Sequence, residues 1–232
     1  MVDITPPQYL DITEDDIKDP VLFQVGMLNQ EPHSKQIPIL QSKAKYKVIS
    51  CGIRAGKTQM IAGELIRGAE LNLFKKQIAI APTYKQSLII YDKIYLIMAK
   101  ANLLNDAQFI TSHHPRITFV NKCYIDFGSA DRPDTLRGEA YDRVFIDEAS
   151  FIKGHAWNAI RPLTFDTGAP IWQTSTAFGQ GRFYEDYQRG IKGENDWESF
   201  HFSSLDNPYI DRATILKEIE EFGENSSYVQ TE

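Results

Sequence analysis

One segment of the sequence has the residue types and spacing that hold the phosphates of a nucleotide. Residues 51–58 contain Cys-Gly-Ile-Arg-Ala-Gly-Lys-Thr, after a β-branched run and before an apolar stretch with helical spacing. This segment matches the P-loop template GxxxxGKS/T except at its first glycine, where Cys51 stands and Gly52 follows one residue later. A strand, a loop and a helix in succession are the context that a P-loop requires.

Each polar position of this loop has a predicted role. Gly56 permits the backbone N–H groups to converge on phosphate oxygens at the start of a helix. Lys57 is predicted to reach the terminal phosphates, and the Thr58 hydroxyl to ligate Mg²⁺. A chance match at a helix start is the alternative. The predicted nucleotide contacts are Gly52, Ile53, Arg54, Ala55, Gly56, Lys57, Thr58 and Gln59.

A second site element follows another apolar run, Val144-Phe145-Ile146. Asp147 comes directly after it and is predicted to hold the Mg²⁺ shell, as the acid of a Walker B strand does. The adjacent Glu148 is predicted to take a proton from an attacking water, which indicates a hydrolase rather than a kinase. The alternative is an acidic pair that caps a helix after a strand.

Hydroxyl and arginine side chains complete the set of candidates. Ser175 and Thr176 end a third apolar run and are predicted to sense the γ-phosphate or the attacking water, unless they form a simple polar strand exit. An arginine often neutralises charge on a transferring phosphoryl group. Arg54, inside the loop, and Arg137, in a polar segment before the Walker B run, are the candidates, and a solvated surface group is the alternative for Arg137.

The elements that must position these residues alternate along the chain. Short β-branched runs alternate with longer helical ones, which predicts an α/β fold with a mostly parallel sheet covered on both faces. An antiparallel hairpin is predicted across Asn121-Lys122. The predicted strands are 46–50, 77–81, 116–120, 123–127, 144–146 and 171–175, and the predicted helices are 58–71, 85–101 and 211–228.

Composition restricts the classes of function. The 232 residues include 25 Lys and Arg against 31 Asp and Glu, a formal net charge of −6, which argues against passive coating of nucleic acid or of anionic membranes. Lys43, Lys45 and Lys47 alternate, and we expect a solvated strand face rather than a DNA track. Two distant cysteines and the lack of a signal peptide or long apolar run predict a soluble, reduced, intracellular protein without membrane association.

Together, these motifs resemble the large subunit of tailed-bacteriophage terminases, the ATP-driven motor that packages DNA into a prohead. The loop with an internal arginine, the run from Ser129 into Walker B, and the Ser-Thr-Ala triplet at residues 175–177 carry the resemblance. It implies a P-loop NTPase of the ASCE, RecA-like type that binds ATP and Mg²⁺. It also implies that Gln36 contacts the adenine base and that Arg137 acts in trans, in the site of a neighbouring subunit.

The resemblance also implies an organisation and a set of partners. We expect a helical N-terminal arm at 1–31, the ATPase core at 32–210, and a closing helix at 211–232 that leads toward a linker. Terminase large subunits continue into a nuclease domain, so we expect no nuclease activity from this chain. The implied partners are double-stranded DNA, the portal protein, the small terminase subunit and further copies in a ring, in the host cytoplasm and transiently at the prohead portal.

Three other functions compete with this interpretation. A helicase-type or other nucleic-acid-remodelling ATPase has the same core, but usually pairs two such cores in one chain. A nucleotide-dependent switch would bind ATP without turnover, which the adjacent Asp147 and Glu148 argue against. A small-molecule kinase would not need a glutamate that activates water.

Overall fold

The computed structural model describes residues 16–112, 114–176 and 178–222. These residues form eight strands and seven α-helices, joined by short 3₁₀ turns. In chain order the elements are α1 (Pro20–Gly26), α2 (Gln36–Gln41), β1 (Tyr46–Cys51), α3 (Lys57–Glu70), β2 (Lys76–Ala81), α4 (Tyr84–Lys100), β3 (Ala107–Ile110), β4 (Arg116–Phe119), β5 (Tyr124–Ser129), β6 (Arg143–Asp147), α5 (Trp157–Ile160), β7 (Ile171–Ser175), α6 (Arg182–Ile191), β8 (Trp197–Phe202) and α7 (Arg212–Phe222).

The strands form a single mixed sheet in the order β3-β4-β5-β2-β6-β7-β1-β8. Six of them, from β5 to β8 in that order, pair in parallel, and β3 and β4 add an antiparallel edge. This confirms the predicted α/β class, the mostly parallel sheet and the hairpin between β4 and β5. Because parallel strands present their carboxyl ends at one edge, the loops after β1, β6 and β7 share that edge.

Apolar clusters cover both faces of the sheet. On one face, α1, α2, α3 and α4 contribute to a cluster that includes Phe23, Leu65 and Ile94. On the other face, α5, α6 and the segments around them bury Val48, Ile146 and Ile160. The central strands are buried on both faces, which explains why their sequences are continuous apolar runs rather than alternating ones.

The first turns of the helices differ in what satisfies their N–H groups. Asp19 caps α1, accepting from the N–H groups of Val21 and Leu22, and Thr83 and Gln86 form a capping box at α4. Helix α3 follows Gly56, where no side chain caps the helix within the described residues. The first N–H groups of α3 are therefore suited to an anionic ligand.

Two strands and one lysine differ from the sequence-based expectations. Strands β3 and β8 were not predicted, because both are edge strands with polar residues among their apolar ones. The predicted solvated lysine face is wrong for Lys47, which is buried in β1, only 3% exposed. Its ammonium group donates to the carbonyl oxygens of Ile39 and Ser42, each at 2.7 Å.

The two ends of the chain are described in part. The described portion of the predicted N-terminal arm contains α1, and Phe23 and Leu28 are buried in the same cluster as the core helices. Helix α7 is described to Phe222, and the rest of the predicted closing helix lies outside the described residues. Both domain boundaries stay predictions. Within the described ranges, no helix has the length and apolar character needed to span a membrane.

Candidate active site

The predicted phosphate-binding loop connects β1 to α3 at the carboxyl edge of the sheet. Gly56 has a φ of 95° and Arg54 a φ of 61°, so two residues of this short loop are in the left-handed region. Glycine adopts that conformation readily, whereas arginine does so at a cost that the surrounding contacts must offset. A Cβ atom at position 56 would lie 2.7 Å from Nε2 of Gln36, which also favours glycine there.

Gln36, the predicted adenine contact, packs against this loop. Its Nε2 donates to the carbonyl oxygen of Gly56 at 3.1 Å, and its Oε1 accepts from the N–H of His33 at 3.2 Å. A carboxamide has two donors and two acceptor lone pairs, so each end keeps one bond for a base. Contact with adenine stays a prediction.

Asp147 lies at the end of β6, almost fully buried. Its Oδ1 accepts from the Thr174 hydroxyl at 2.7 Å and from the Glu148 N–H at 3.1 Å. Burial, and then the nearby Glu148 carboxylate, raise the pKa of Asp147 to about 6, although both hydrogen bonds and the Lys57 ammonium act in the opposite direction. Because both bonds are to Oδ1, Oδ2 keeps its lone pairs for a cation.

Lys57 and Glu148 form an ion pair, with Nζ 3.0 Å from Oε1. Burial disfavours the ammonium form of Lys57, but Glu148 and the neighbouring Cys51 and Asp147 outweigh it and raise the pKa of Lys57. Glu148 has a φ of 52° and a ψ of 43°, a left-handed conformation that is uncommon outside glycine. The structure thus joins the P-loop lysine to the predicted general base.

The end of β7 completes this cluster. The Ser175 hydroxyl donates to Glu148 Oε2 at 3.3 Å, and Ser150 Oγ lies 2.6 Å from Ser175 Oγ. Ser150 also donates to the carbonyl oxygen of Thr176 at 3.0 Å. Ser175 therefore lies where it can orient the general base. The sensing roles predicted for Ser175 and Thr176 stay predictions, and Ala177 lies outside the described residues.

The other predicted residues are close to the loop or at the surface. Ile53 and Arg54 are exposed at the loop tip, Ala55 is buried, and Thr58 and Gln59 lie half-buried in the first turn of α3. Arg137 follows a 3₁₀ turn, its side chain is 68% exposed, and its ion pair is with Asp134 at 3.1 Å. The structure brings together Lys57, Asp147, Glu148 and Ser175, and in the described part of the chain it places no contact of Arg137 with them.

Sequence analysis missed Thr174 and Ser150, which hold Asp147 and Ser175. Both are hydroxyl residues within two positions of predicted site residues, and only the pairing of strands shows their role. In the parallel ladder of β6 and β7, Thr174 is the register partner of Asp147. That register depends on two segments about 25 residues apart and has no signal in either segment alone.

Comparison with known proteins agrees with this geometry. Residues 48–199, well over half of the chain, match the family described as "Terminase large subunit, T4likevirus-type, N-terminal". The chain belongs to this family.

Individual terminases show the same relationship. The chain is 28% identical to the terminase large subunit of Thermus phage G20c, over 84% of this chain and 48% of that protein. The chain spans about half the length of the curated relatives it matches.

Solved terminase structures share the fold. The large terminase ATPase domain of Thermus phage P74-26 superposes with a TM-score of 0.74 and 25% identity, covering 96% of this chain and 97% of that one. A large terminase of a thermophilic bacteriophage in complex with ADP superposes with a TM-score of 0.69 and 16% identity, over 85% of this chain and 51% of that one. The predicted P-loop ASCE fold is therefore confirmed.

Proposed function

We propose that this terminase domain hydrolyses ATP with Mg²⁺ and that hydrolysis drives translocation of double-stranded DNA into a prohead. The observation that supports this most is the 3.0 Å pair between Lys57 and Glu148, with the buried Asp147 beside it. A lysine for phosphates, a carboxylate for a metal and a carboxylate for water are the minimum set for nucleotide hydrolysis. Related terminases provide further support, because one has been solved in complex with ADP and another with ATP-γ-S.

The residues present fit a magnesium ion. Mg²⁺ is usually held by one or two carboxylates, a hydroxyl and the phosphates of the substrate. Asp147 has one oxygen anchored by Thr174 and the other open, and Thr58 starts the helix that follows the loop. We infer that Asp147 and Thr58 hold the ion, which would neutralise charge on the phosphates.

Glu148 is the proton acceptor in this proposal. Its Oε2 is oriented by the Ser175 hydroxyl, and its Oε1 is held by Lys57. A triphosphate gives Lys57 a second anionic partner, so phosphate binding competes with Glu148 for the ammonium group. Release of Oε1 leaves the carboxylate free to accept a proton from water.

Substitution of Glu148 by glutamine tests the proposal. Glu148→Gln keeps the shape of the side chain but removes its basicity, so hydrolysis should fall by about 10²- to 10⁴-fold. ATP should bind at least as tightly as in the wild type, because Lys57 loses its anionic competitor. Phosphate release and nucleotide binding measure the two effects, and Glu185→Gln, on the exposed face of α6, is the matched control. Undiminished hydrolysis in Glu148→Gln would contradict the assignment.

Arg137 is proposed to complete the site of a neighbouring subunit. Its exposure and its distance in sequence from the loop favour action in trans over action in its own site. Arg137→Ala and Glu148→Ala proteins should each be inactive alone and regain ATPase activity when mixed under assembly conditions. Failure of the mixture to regain activity counts against a shared site.

The proposed partners follow from membership of the family. They are double-stranded DNA, the portal protein, the small terminase subunit and further copies of this chain in a ring, in the host cytoplasm and at the prohead portal. ATP turnover should rise when proheads and DNA are added to the wild type. Nuclease activity is not expected from these residues.

A further inference from the structure

Four successive carbonyl oxygens of the phosphate-binding loop each accept a hydrogen bond from a side chain outside the loop. Two of these side chains precede β1. Gln36 donates to Gly56 O at 3.1 Å, and His33 Nε2 lies 3.0 Å from Ala55 O. His33 Nδ1 accepts from the Lys35 N–H at 3.3 Å, so Nε2 carries the proton and is the donor.

The other two side chains follow β8. The Ser204 hydroxyl donates to the carbonyl oxygen of Ile53, and Asn207 Nδ2 donates to that of Arg54 at 2.8 Å. Sequence analysis assigned no chemistry to Ser204 or Asn207, which lie about 150 residues after the loop. We call His33, Gln36, Ser204 and Asn207 the carbonyl clamp.

The clamp determines the direction of the loop's N–H groups. In a planar trans peptide, the C=O and the following N–H point in opposite directions. Holding the carbonyl oxygens of residues 53–56 on the outside therefore turns the N–H groups of residues 54–57 toward the inside of the loop. Those are the groups expected to contact phosphate oxygens at a P-loop.

The clamp also offsets the strain of the loop. Arg54 has a φ of 61°, an unfavourable conformation that persists only when neighbouring contacts hold it. Asn207 donates to the carbonyl oxygen of that same residue, and Ser204 donates to the one before it. The loop tip itself is exposed, so the two bonds supply restraint that packing does not.

The segments that carry the clamp are anchored to each other behind the loop. The His33 ring packs edge-on against Phe202, with centroids 5.3 Å apart, and the Tyr209 hydroxyl donates to Glu31 O at 3.1 Å. Asp206 Oδ2 accepts from the Ser203 N–H at 2.8 Å and fixes the turn that carries Ser204. The clamp is therefore preorganised rather than formed by flexible surface groups.

We propose that Ser204 and Asn207 are positioning residues for nucleotide phosphates, acting through the carbonyl oxygens of Ile53 and Arg54. This inference rests on the proposed function, because it assumes that the loop holds the phosphates of ATP. Neither residue needs to touch the nucleotide. Their contribution is to hold the loop in its binding conformation before the ligand arrives, which lowers the cost of binding.

Three variants of the whole chain test the inference. Ser204→Ala and Asn207→Ala each remove one donor, and Asn207→Asp keeps the acceptor that Tyr209 N–H uses while it removes the donor. Each should raise the Kd for Mg·ATP by about three- to tenfold, the value of one hydrogen bond. Because Asn207→Ala adds no charge, it separates the loss of the donor from repulsion of phosphate in Asn207→Asp.

Tyr209→Phe is the matched control. It removes a hydrogen bond of the same segment, to Glu31, but none to the loop. Its thermal stability without nucleotide should fall about as much as that of Asn207→Ala, whereas its Kd for Mg·ATP should stay within about twofold of the wild type. For the two clamp residues, the loss in kcat/KM should come mainly from KM, and a purely structural role would not produce this split.

The possible outcomes are distinct. If the wild type itself neither binds nor hydrolyses ATP, the proposed function is wrong. If the wild type binds ATP and both alanine variants bind it equally well, or if Tyr209→Phe weakens binding as much as they do, only the clamp is wrong. Should Ser204→Ala fail to fold because Ser204 is buried, the partly exposed Asn207 decides the question.

Discussion

Thr174 connects the chemistry of Asp147 to the neighbouring strand. Its hydroxyl donates to Asp147 Oδ1 at 2.7 Å, which favours the carboxylate form against the burial that raises its pKa to about 6. Partners of this kind orient the groups that bind a metal, and their loss typically weakens metal affinity 10- to 100-fold. The hydroxyl is therefore expected to matter for magnesium dependence although it contacts no phosphate.

Thr174→Val should raise the Mg²⁺ concentration for half-maximal ATPase activity by about tenfold. The pKa of Asp147 should rise further, so protons should compete with Mg²⁺ at a higher pH than in the wild type, where competition should set in as the pH falls below about 6. Mg²⁺ titrations of activity between pH 5.5 and 8 measure both effects. Thr174→Ser retains the hydroxyl and is the control. Equal Mg²⁺ dependence in Thr174→Val and the wild type would contradict this role.

Lys47 is a buried amine whose protonation opposes folding. Burial, and then the positive charge of Arg143, lower the pKa of Lys47 to about 7, although Glu64 and Glu198 act against this shift. In the unfolded chain its pKa is near 10.5, so between pH 7 and pH 10 the unfolded state binds the extra proton. Stability contributed by this group therefore rises with pH across that range.

The free energy of unfolding should accordingly rise with pH more steeply in the wild type than in Lys47→Met. The difference in slope should be up to about 1.4 kcal/mol for each pH unit between 7 and 10. Urea denaturation at pH 7 and pH 9 measures it. Lys45→Met, which replaces a lysine outside the strand, serves as the control and should leave the slope unchanged. Parallel pH profiles for Lys47→Met and the wild type would show that this amine does not change its charge on folding.

Close approach of a helix to the edge strand explains one glycine among the elements. Gly190 lies near the end of α6, and a Cβ atom there would lie 2.6 Å from the backbone N of Ser199 in β8. The Ser199 hydroxyl in turn donates to the carbonyl oxygen of Tyr187 at 2.7 Å, which ties the same two elements together. Because the obstacle is backbone, it cannot move aside as a side chain can.

Gly190→Ala should therefore destabilise the fold by about 1–3 kcal/mol, the usual cost of overpacking. Gly154→Ala is the matched control, because no atom lies within 4 Å of a Cβ at that position. That control should be neutral or stabilise by a few tenths of a kcal/mol. Chemical denaturation of both variants tests the contrast, and an unaffected Gly190→Ala protein would mean that α6 and β8 can separate without cost.

Across the whole molecule, one sheet joins the site to both apolar cores. Strands β1, β6 and β7, which carry the loop, Asp147 and Ser175, lie in the middle of eight strands. A ligand bound across their carboxyl ends holds together the centre of the fold, so its binding energy adds to global stability. The added stability depends on the ligand concentration relative to Kd.

ATP with Mg²⁺ at 100 times its Kd should raise the free energy of unfolding by about 2.7 kcal/mol. Lys57→Ala should show little of this increase at the same concentration, because it lacks the ammonium group for the phosphates. Thermal or chemical denaturation with and without Mg·ATP provides the measurement. An equal rise in Lys57→Ala would place the nucleotide away from this loop.

Contiguous motifs are what the sequence by itself determined about this protein. The phosphate-binding loop, the acidic pair at residues 147–148 and the alternation of strands and helices each depend on neighbouring residues. Their spacing therefore carried the fold class, the family and the principal site residues. Local propensity and periodicity act over the same short range, which is why the central strands and long helices were predicted within one or two residues at most ends.

Only the tertiary structure decided how distant segments support that site. The register of β6 against β7 places Thr174 on Asp147, and the return of the chain after β8 places Ser204 and Asn207 on the loop. Burial of Lys47 and the edge position of β8 likewise depend on which elements pack together. These contacts join residues tens to about 150 positions apart, and their energies depend on a geometry that no local pattern encodes.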